Sequence, residues 1–439
     1  MTTDILALSR QARANLTYDS PLEPDDTKWV DLNPVRGDFS ESKMLYTLGI
    51  VGEEALMPLP GPLYLAFSGH RGCGKSTELR RMEKRLQRHD RYFVVFIDVL
   101  NVLDVNNLRY SDILLAQAKA LFDRLAEQRI NLDQVFLTNL ENWFKERIEK
   151  HDTTRNFAAE IKAGSEARGG LPWFVKIFGA LSDSIRVNST YKTEIRENVR
   201  NSFKEFADAF NPLLIHAEER LAAANHGKKI LFIVDGTDRL RGEDAEYFFI
   251  RDVYQLKLIE ACFIYCAPIR LLSEHGDLQQ TFELLRLPMI KISDKSETSL
   301  LIKSRDVLRD LVYHRVDCRL FDFETTVDYL IRYSGGHVRD LVRPLNYCLA
   351  ETLGQRRIDS DCAQRAVKQL ATEYRRLIQQ DDYSLLKKID QSGKDYTPNT
   401  DATRCLLYDL VLLEYNVYWW QSHPVVTTLN AYQSAQVPP

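Results

Sequence analysis

Leu63-Tyr64-Leu65-Ala66-Phe67-Ser68-Gly69-His70-Arg71-Gly72-Cys73-Gly74-Lys75-Ser76-Thr77 is the stretch whose reading decides the fold. It begins as an apolar run of strand length, turns through closely spaced glycines, and leads into Ser76 to Arg88, which has the spacing of an amphipathic helix. A second apolar run, Tyr92 to Val99, follows at once. Parallel neighbouring strands need a crossover connection, so strand, helix and strand in this order predict a βαβ unit and an α/β fold. Further strands are expected at Lys229–Asp235, Ala261–Ala267 and Leu287–Ile292, giving a five-stranded parallel sheet. Ile230 to Val234 is apolar without a break, as a central strand buried on both faces must be.

Working outward, the pattern from Ser111 to Ala224 is helical: Asp112–Glu127 behind a Ser111 cap, Val135–Lys150, a glycine-containing stretch Ala163–Gly170, and Tyr191–Ala224. This reads as a helical insertion over about 104–225 within a core spanning 61–295. Strands stop near Ser296, and Leu300–Val312, Phe323–Tyr333, Val338–Leu353 and Asp359–Ile378 are helical, predicting a helical lid at 296–378. Helices Asp382–Gln391 and Asp401–Leu413 and two β-like arms, Leu413–Asn416 and Tyr418–Gln421, predict a small winged-helix module at 379–439. Residues 1–60, rich in Asp, Glu and Pro, read as a wrapping segment with a short helix near Met44–Leu48 and no part in function.

Composition narrows the classes. With 439 residues, 44% hydrophobic and 27% charged, the chain has material for two to three domains with a substantial core. A net charge of -4, from 58 basic and 62 acidic residues, gives no global drive onto nucleic acid or anionic lipid. No apolar run approaches bilayer-spanning length, so no membrane role and a cytoplasmic location are expected. The 7 cysteines form no CxxC pair and read as reduced thiols, with Cys262 and Cys266 in a strand core.

The chemistry lies in the opening stretch. Gly69-His70-Arg71-Gly72-Cys73-Gly74-Lys75-Ser76-Thr77 fits GxxxxGK[ST] between a strand and a helix. Such a loop turns backbone N–H groups toward phosphate oxygens at a helix start, while Lys75 reaches the β and γ phosphates and Ser76 ligates Mg2+. The second requirement, a carboxylate on the metal's shell, is met by Asp235 at the end of its strand. Asp238, three residues on, is the candidate to orient or deprotonate the attacking water.

These features resemble the additional-strand P-loop ATPases of the AAA+ and STAND (NACHT- and KAP-like) type. The resemblance implies ATP and Mg2+ as ligands, a sensor strand at Ala261–Ile269, and a lid turn Ser334-Gly335-Gly336-His337-Val338-Arg339-Asp340-Leu341 that brings Arg339 to the γ-phosphate. It also implies a homo-oligomer, with Arg286 or Arg270 as candidate arginine fingers, and a winged helix around Leu413–Asn416 and Trp419–Pro424. The chain departs from the pattern: no Glu follows Asp235, Ala267-Pro268 stands at the sensor position, and the insertion is long. The expectation is a slowly hydrolysing switch acting on an effector or partner protein, with antiphage defence as the pathway the resemblance points to. The alternatives are a DNA-binding initiator- or transposition-regulator-like ATPase and a non-hydrolysing scaffold. Arg356, Arg357, Arg365, Lys368, Arg375 and Arg376 are basic, but Asp359, Asp361 and Glu373 dilute them, so nucleic acid is not favoured.

Overall fold

In the computed structural model, residues 4–37, 39–103, 109–147, 174, 176, 196–197, 199–240, 242–274, 277–296, 299–395, 397–416 and 419–437 are described. The strands are β1 (Tyr64–Ser68), β2 (Tyr92–Asp98), β3 (Lys229–Asp235), β4 (Cys262–Ala267) and β5 (Glu283–Arg286). They form one parallel five-stranded sheet in the order β2-β3-β4-β1-β5, which places β4 as an added strand between β1 and β3.

β3 shows why the apolar runs are continuous. Ile230, Phe232 and Val234 enter one core and Leu231 and Ile233 the other, so successive side chains serve opposite faces of the sheet. One face is covered by α4 (Tyr110–Glu127), α5 (Gln134–Arg147) and α6 (Phe203–Ala223) of the insertion. The other carries α2 (Glu41–Thr47), α3 (Lys75–Leu86) and the hairpin β6 (Leu412–Asn416) and β7 (Trp419–Ser422). A third core joins α7 (Ile302–Tyr313), α8 (Glu324–Ser334), α9 (Val338–Thr352) and α10 (Ser360–Arg375) to α11 (Asp382–Gln391), α12 (Asp401–Tyr408) and the short α13 (Pro424–Thr427).

Several expectations need correction. The fifth strand is Glu283–Arg286 rather than Leu287–Ile292. The Leu287 N–H still bonds Ser68 O at 2.7 Å, but β1 ends at Ser68, where the chain turns into the glycine loop and leaves no strand for the ladder to continue along. Met289, Ile290 and Ile292 are buried as a linker beneath the lid, which explains their apolar character without strand pairing. Ser111 lies inside α4 and is not its cap; Asp112 accepts the Arg109 N–H at 3.0 Å, so the helix opens earlier. α12 stops at Tyr408 because Leu410 turns to φ 64 and Val411 N bonds back to Leu406 O at 2.9 Å. The glycine-containing stretch expected at Ala163–Gly170 lies outside the described residues. α1 (Ile5–Asn15), unforeseen, packs Ala12 against the lid core, where Leu16 just beyond it also packs, and Asn346 ties down the Leu16 carbonyl at 2.9 Å.

The lid turn approaches the linker at Gly336, whose φ is +76 and where a Cβ would meet Ile290 O at 2.0 Å. Gly336→Ala combines left-handed strain with a backbone clash and is expected to cost more than about 1 kcal/mol, read as a lower urea midpoint at unchanged slope.

Candidate nucleotide site

The loop after β1 folds tightly because glycines stand where side chains cannot. A Cβ on Gly69 would meet Leu287 O at 2.6 Å, and Gly74, the residue before α3, has φ +109. Lys75 then opens α3 with its side chain folded back over the loop. Its Nζ donates to Gly69 O at 2.9 Å and His70 O at 3.0 Å and pairs with Asp238 Oδ2 at 2.9 Å, all within a site that leaves it only 5% exposed. Burial opposes this ammonium charge most strongly, but Asp238 together with the other groups around it raises the Lys75 pKa above its ordinary value.

Asp235 terminates β3 beside the start of α3. Its Oδ1 accepts the Gly236 N–H at 2.8 Å and the Cys266 thiol at 3.2 Å, and the Ser76 hydroxyl also bonds its carboxylate. Burial, with Asp238 adding like charge, raises the Asp235 pKa. Burial also pushes the Cys266 thiol well above its usual range, so it remains a donor to Asp235. Thr237 Oγ1 bonds Cys266 O at 2.6 Å and anchors the turn that presents Asp238. A hydroxyl and a carboxylate in contact at a helix start suit Mg2+, which keeps most of its waters and takes few protein ligands.

These groups face a cleft of about 330 Å³ also lined by Arg71, Arg239 and Arg339. Burial lowers the Arg339 pKa, and the like charges of Arg71 and Arg239 lower it further. Among the described residues none of the three has a carboxylate in ion-pair contact, and Nε of Arg71 and of Arg339 is buried without a hydrogen-bond partner. A cluster of mutually repelling cations without a carboxylate in ion-pair contact suits a polyanion from outside.

The other wall corrects the reading of the amino terminus. Thr17 to Leu22, Trp29, Val30 and Leu32 line the cleft opposite Leu311, Val338 and Val342 of the lid, and the Leu22 N–H bonds Thr77 Oγ1 at 3.2 Å. The segment expected to wrap without function thus forms part of the site, its apolar side chains meeting those of the lid.

Lys75, Ser76, Thr77, Asp235, Asp238 and Arg339 come together in this cleft, as do Arg71, Gly72 and Gly74 of the loop. His70 and Cys73 point elsewhere. His70 is buried, and its Nε2 accepts the Glu414 N–H of β6 at 2.8 Å; burial, then His337 and Lys75, push its pKa down to about 3. Cys73 is buried, and its carbonyl receives Arg36 Nη2 at 2.7 Å. Neither arginine-finger candidate lines the cleft, and Arg286 pairs with Glu414 at 3.1 Å. Arg36, Glu414, His337 and Cys266 were not singled out from sequence, because each acts through a contact between distant stretches and sits in no local pattern.

No known family's sequence pattern matches the chain, and no curated protein does. Among solved structures, the crystal structure of Cdc6p from Pyrobaculum aerophilum matches with a TM-score of 0.35 and 12% identity, over 92% of this chain and 97% of that chain. That superposition is too loose to carry residue correspondences. The assignment to a P-loop fold with an added strand stands on strand order and loop geometry.

The histidine behind the loop gives a pH signature. His70 takes up a proton near 6.5 when unfolded but only near 3 when folded, so the unfolded chain binds more protons between those values and stability falls as pH falls through them. Urea titrations at several pH values should show a shallower acid loss in His70→Gln than in wild type; an equal loss would remove His70 from the acid response.

Proposed function

We propose that the chain is an ATP-binding, slowly hydrolysing ATPase of the AAA+/STAND kind that serves as a switch for a partner protein. The observation that carries this reading is the buried Lys75, held over the loop by Asp238 beside three arginines that lack carboxylate partners. A triphosphate supplies the missing anion. Lys75 exchanges the Asp238 carboxylate for β- and γ-phosphate oxygens, while loop amides and the start of α3 hold the remaining charge. Asp238, released, stands in the cleft to orient water and accept its proton. Ser76 and Asp235 would hold Mg2+, which supplies charge neutralisation at the phosphates. Arg339, carried by the lid, adds charge at the γ end only while the lid is closed.

Slow turnover fits this site because Asp238 must leave a buried ion pair before it can act. A switch fits because lid and hairpin touch the loop itself: His337 Nε2 lies 2.8 Å from Arg71 O, and Glu414 N lies 2.8 Å from His70 Nε2. An antiphage setting, an effector partner and a homo-oligomer rest on the resemblance; a finger role for Arg286 further requires Glu414 to release it. The protein-partner reading is favoured over DNA binding by the lid's end, where Arg356 pairs with Glu351 and Asp359 and Arg365 pairs with Glu351.

Lys75→Ala should weaken ATP binding by at least about tenfold in a calorimetric titration; unchanged affinity would place the nucleotide elsewhere. Asp238→Asn should still bind ATP while phosphate release drops about a hundredfold. Equal, negligible release from wild type and variant would instead identify a bound-nucleotide scaffold.

A further inference from the structure

Behind the loop, away from the cleft, three fully buried side chains from separate stretches converge. His337 stands at the start of α9, Asp340 lies one turn further along it, and His423 precedes α13; each is 0% exposed. His337 Nε2 lies 2.8 Å from the Arg71 carbonyl. A carbonyl only accepts, so this nitrogen carries a proton. The other nitrogen, Nδ1, faces Asp340 Oδ2 at 2.9 Å. The His337 ring also lies so close to Gly72 that a Cβ there would meet Nε2 at 2.7 Å. His423 Nδ1 accepts the Val425 N–H at 3.3 Å, which leaves its proton on Nε2, 3.3 Å from Asp340 Oδ2. Arg343 at 3.0 Å and the Tyr374 hydroxyl at 2.5 Å complete the surroundings of Asp340. Burial opposes the Asp340 charge, yet His337 and the other donors hold its pKa well below the usual carboxylate range.

We propose that His337 is a positioning residue that holds the Arg71 peptide of the loop and, through Asp340 and His423, passes its state to the start of α13 in the C-terminal module. The proposal rests on the nucleotide reading of the cleft, since Arg71 contributes both the held carbonyl and one of the cleft arginines. Movement of that peptide as phosphates engage must either break a dry hydrogen bond or carry His337 with it. An unmade buried bond finds no water to replace it, so the coupled movement is favoured. Two histidines and a carboxylate within 4.8 Å of one another also form a potential metal-donor set. A metal-free arrangement of close charge contacts is favoured because the His423 Nε2 lone pair is taken up by its proton and Arg343 already balances the Asp340 charge.

The test uses the full chain at saturating ATP with Mg2+ and follows hydrogen exchange of residues 411–427. Wild type should show an ATP-dependent change in this segment. His423→Asn, which keeps an acceptor for the Val425 N–H, should bind ATP with wild-type affinity and lose that change. His337→Ala should lose it too, and His337→Gln, which can still donate to Arg71 O, should regain part of it. An ATP-bound wild type with no change at 411–427, or a folded His423→Asn responding like wild type, overturns the proposal. So does about one zinc per purified chain whose chelation abolishes the response, because a metal would then join these residues. If wild type fails to bind ATP, the nucleotide reading falls separately. The contact network is then tested by unfolding midpoints, where His337→Ala and His423→Ala should be non-additive and additive losses would sink it.

Discussion

The backbone of the loop at 69–75 is the constraint on which the rest depends. Four of its carbonyls are taken by side chains: Gly69 and His70 by the loop's own Lys75, Arg71 by His337 of the lid, and Cys73 by Arg36 of the amino-terminal segment. Glycine is required where these approaches are closest, at Gly69 against Leu287 O and at Gly72 against the His337 ring.

Electrostatics follows from that geometry. Lys75 is buried, so it needs a counter-charge, and Asp238 supplies one at 2.9 Å. Asp235 is buried as well, and its negative charge is eased by short bonds from Gly236 N and Cys266 rather than by a cation. Among the described residues Arg71, Arg239 and Arg339 have no carboxylate in ion-pair contact, which suits the cleft to an incoming polyanion. Arg36 shows the contrast: fully buried with its pKa lowered by burial, it spends its donors on the Cys73 and Pro288 carbonyls and acts as a brace.

The hairpin β6–β7 is tied in by comparable means. Tyr415 bonds Gly335 O at 2.7 Å and stacks on Trp419 at 4.5 Å, while Glu414 bridges the loop's His70 and the edge strand's Arg286. Trp419 is buried in packing. Lid, hairpin and amino-terminal segment therefore meet at one loop.

The sequence by itself determined the parallel sheet, the loop between β1 and α3, and the grouping of Lys75, Ser76 and Asp235 at one cleft. Each is written locally: as an apolar run of fixed period, as glycines at set spacing, or as an acid closing a strand. It misplaced β5 because Met289, Ile290 and Ile292 are as apolar as a strand, and burial alone does not reveal whether backbone groups are paired. It gave the amino-terminal segment no function because polar, irregular chain has no period from which a cleft wall can be read. Only the tertiary structure decided which side of the loop each residue serves: His70 faces the hairpin, Arg71 the cleft, and His337 the Arg71 carbonyl. Those contacts join residues separated by more than two hundred and fifty positions, and they exist only once separate stretches have packed tightly enough to exclude water.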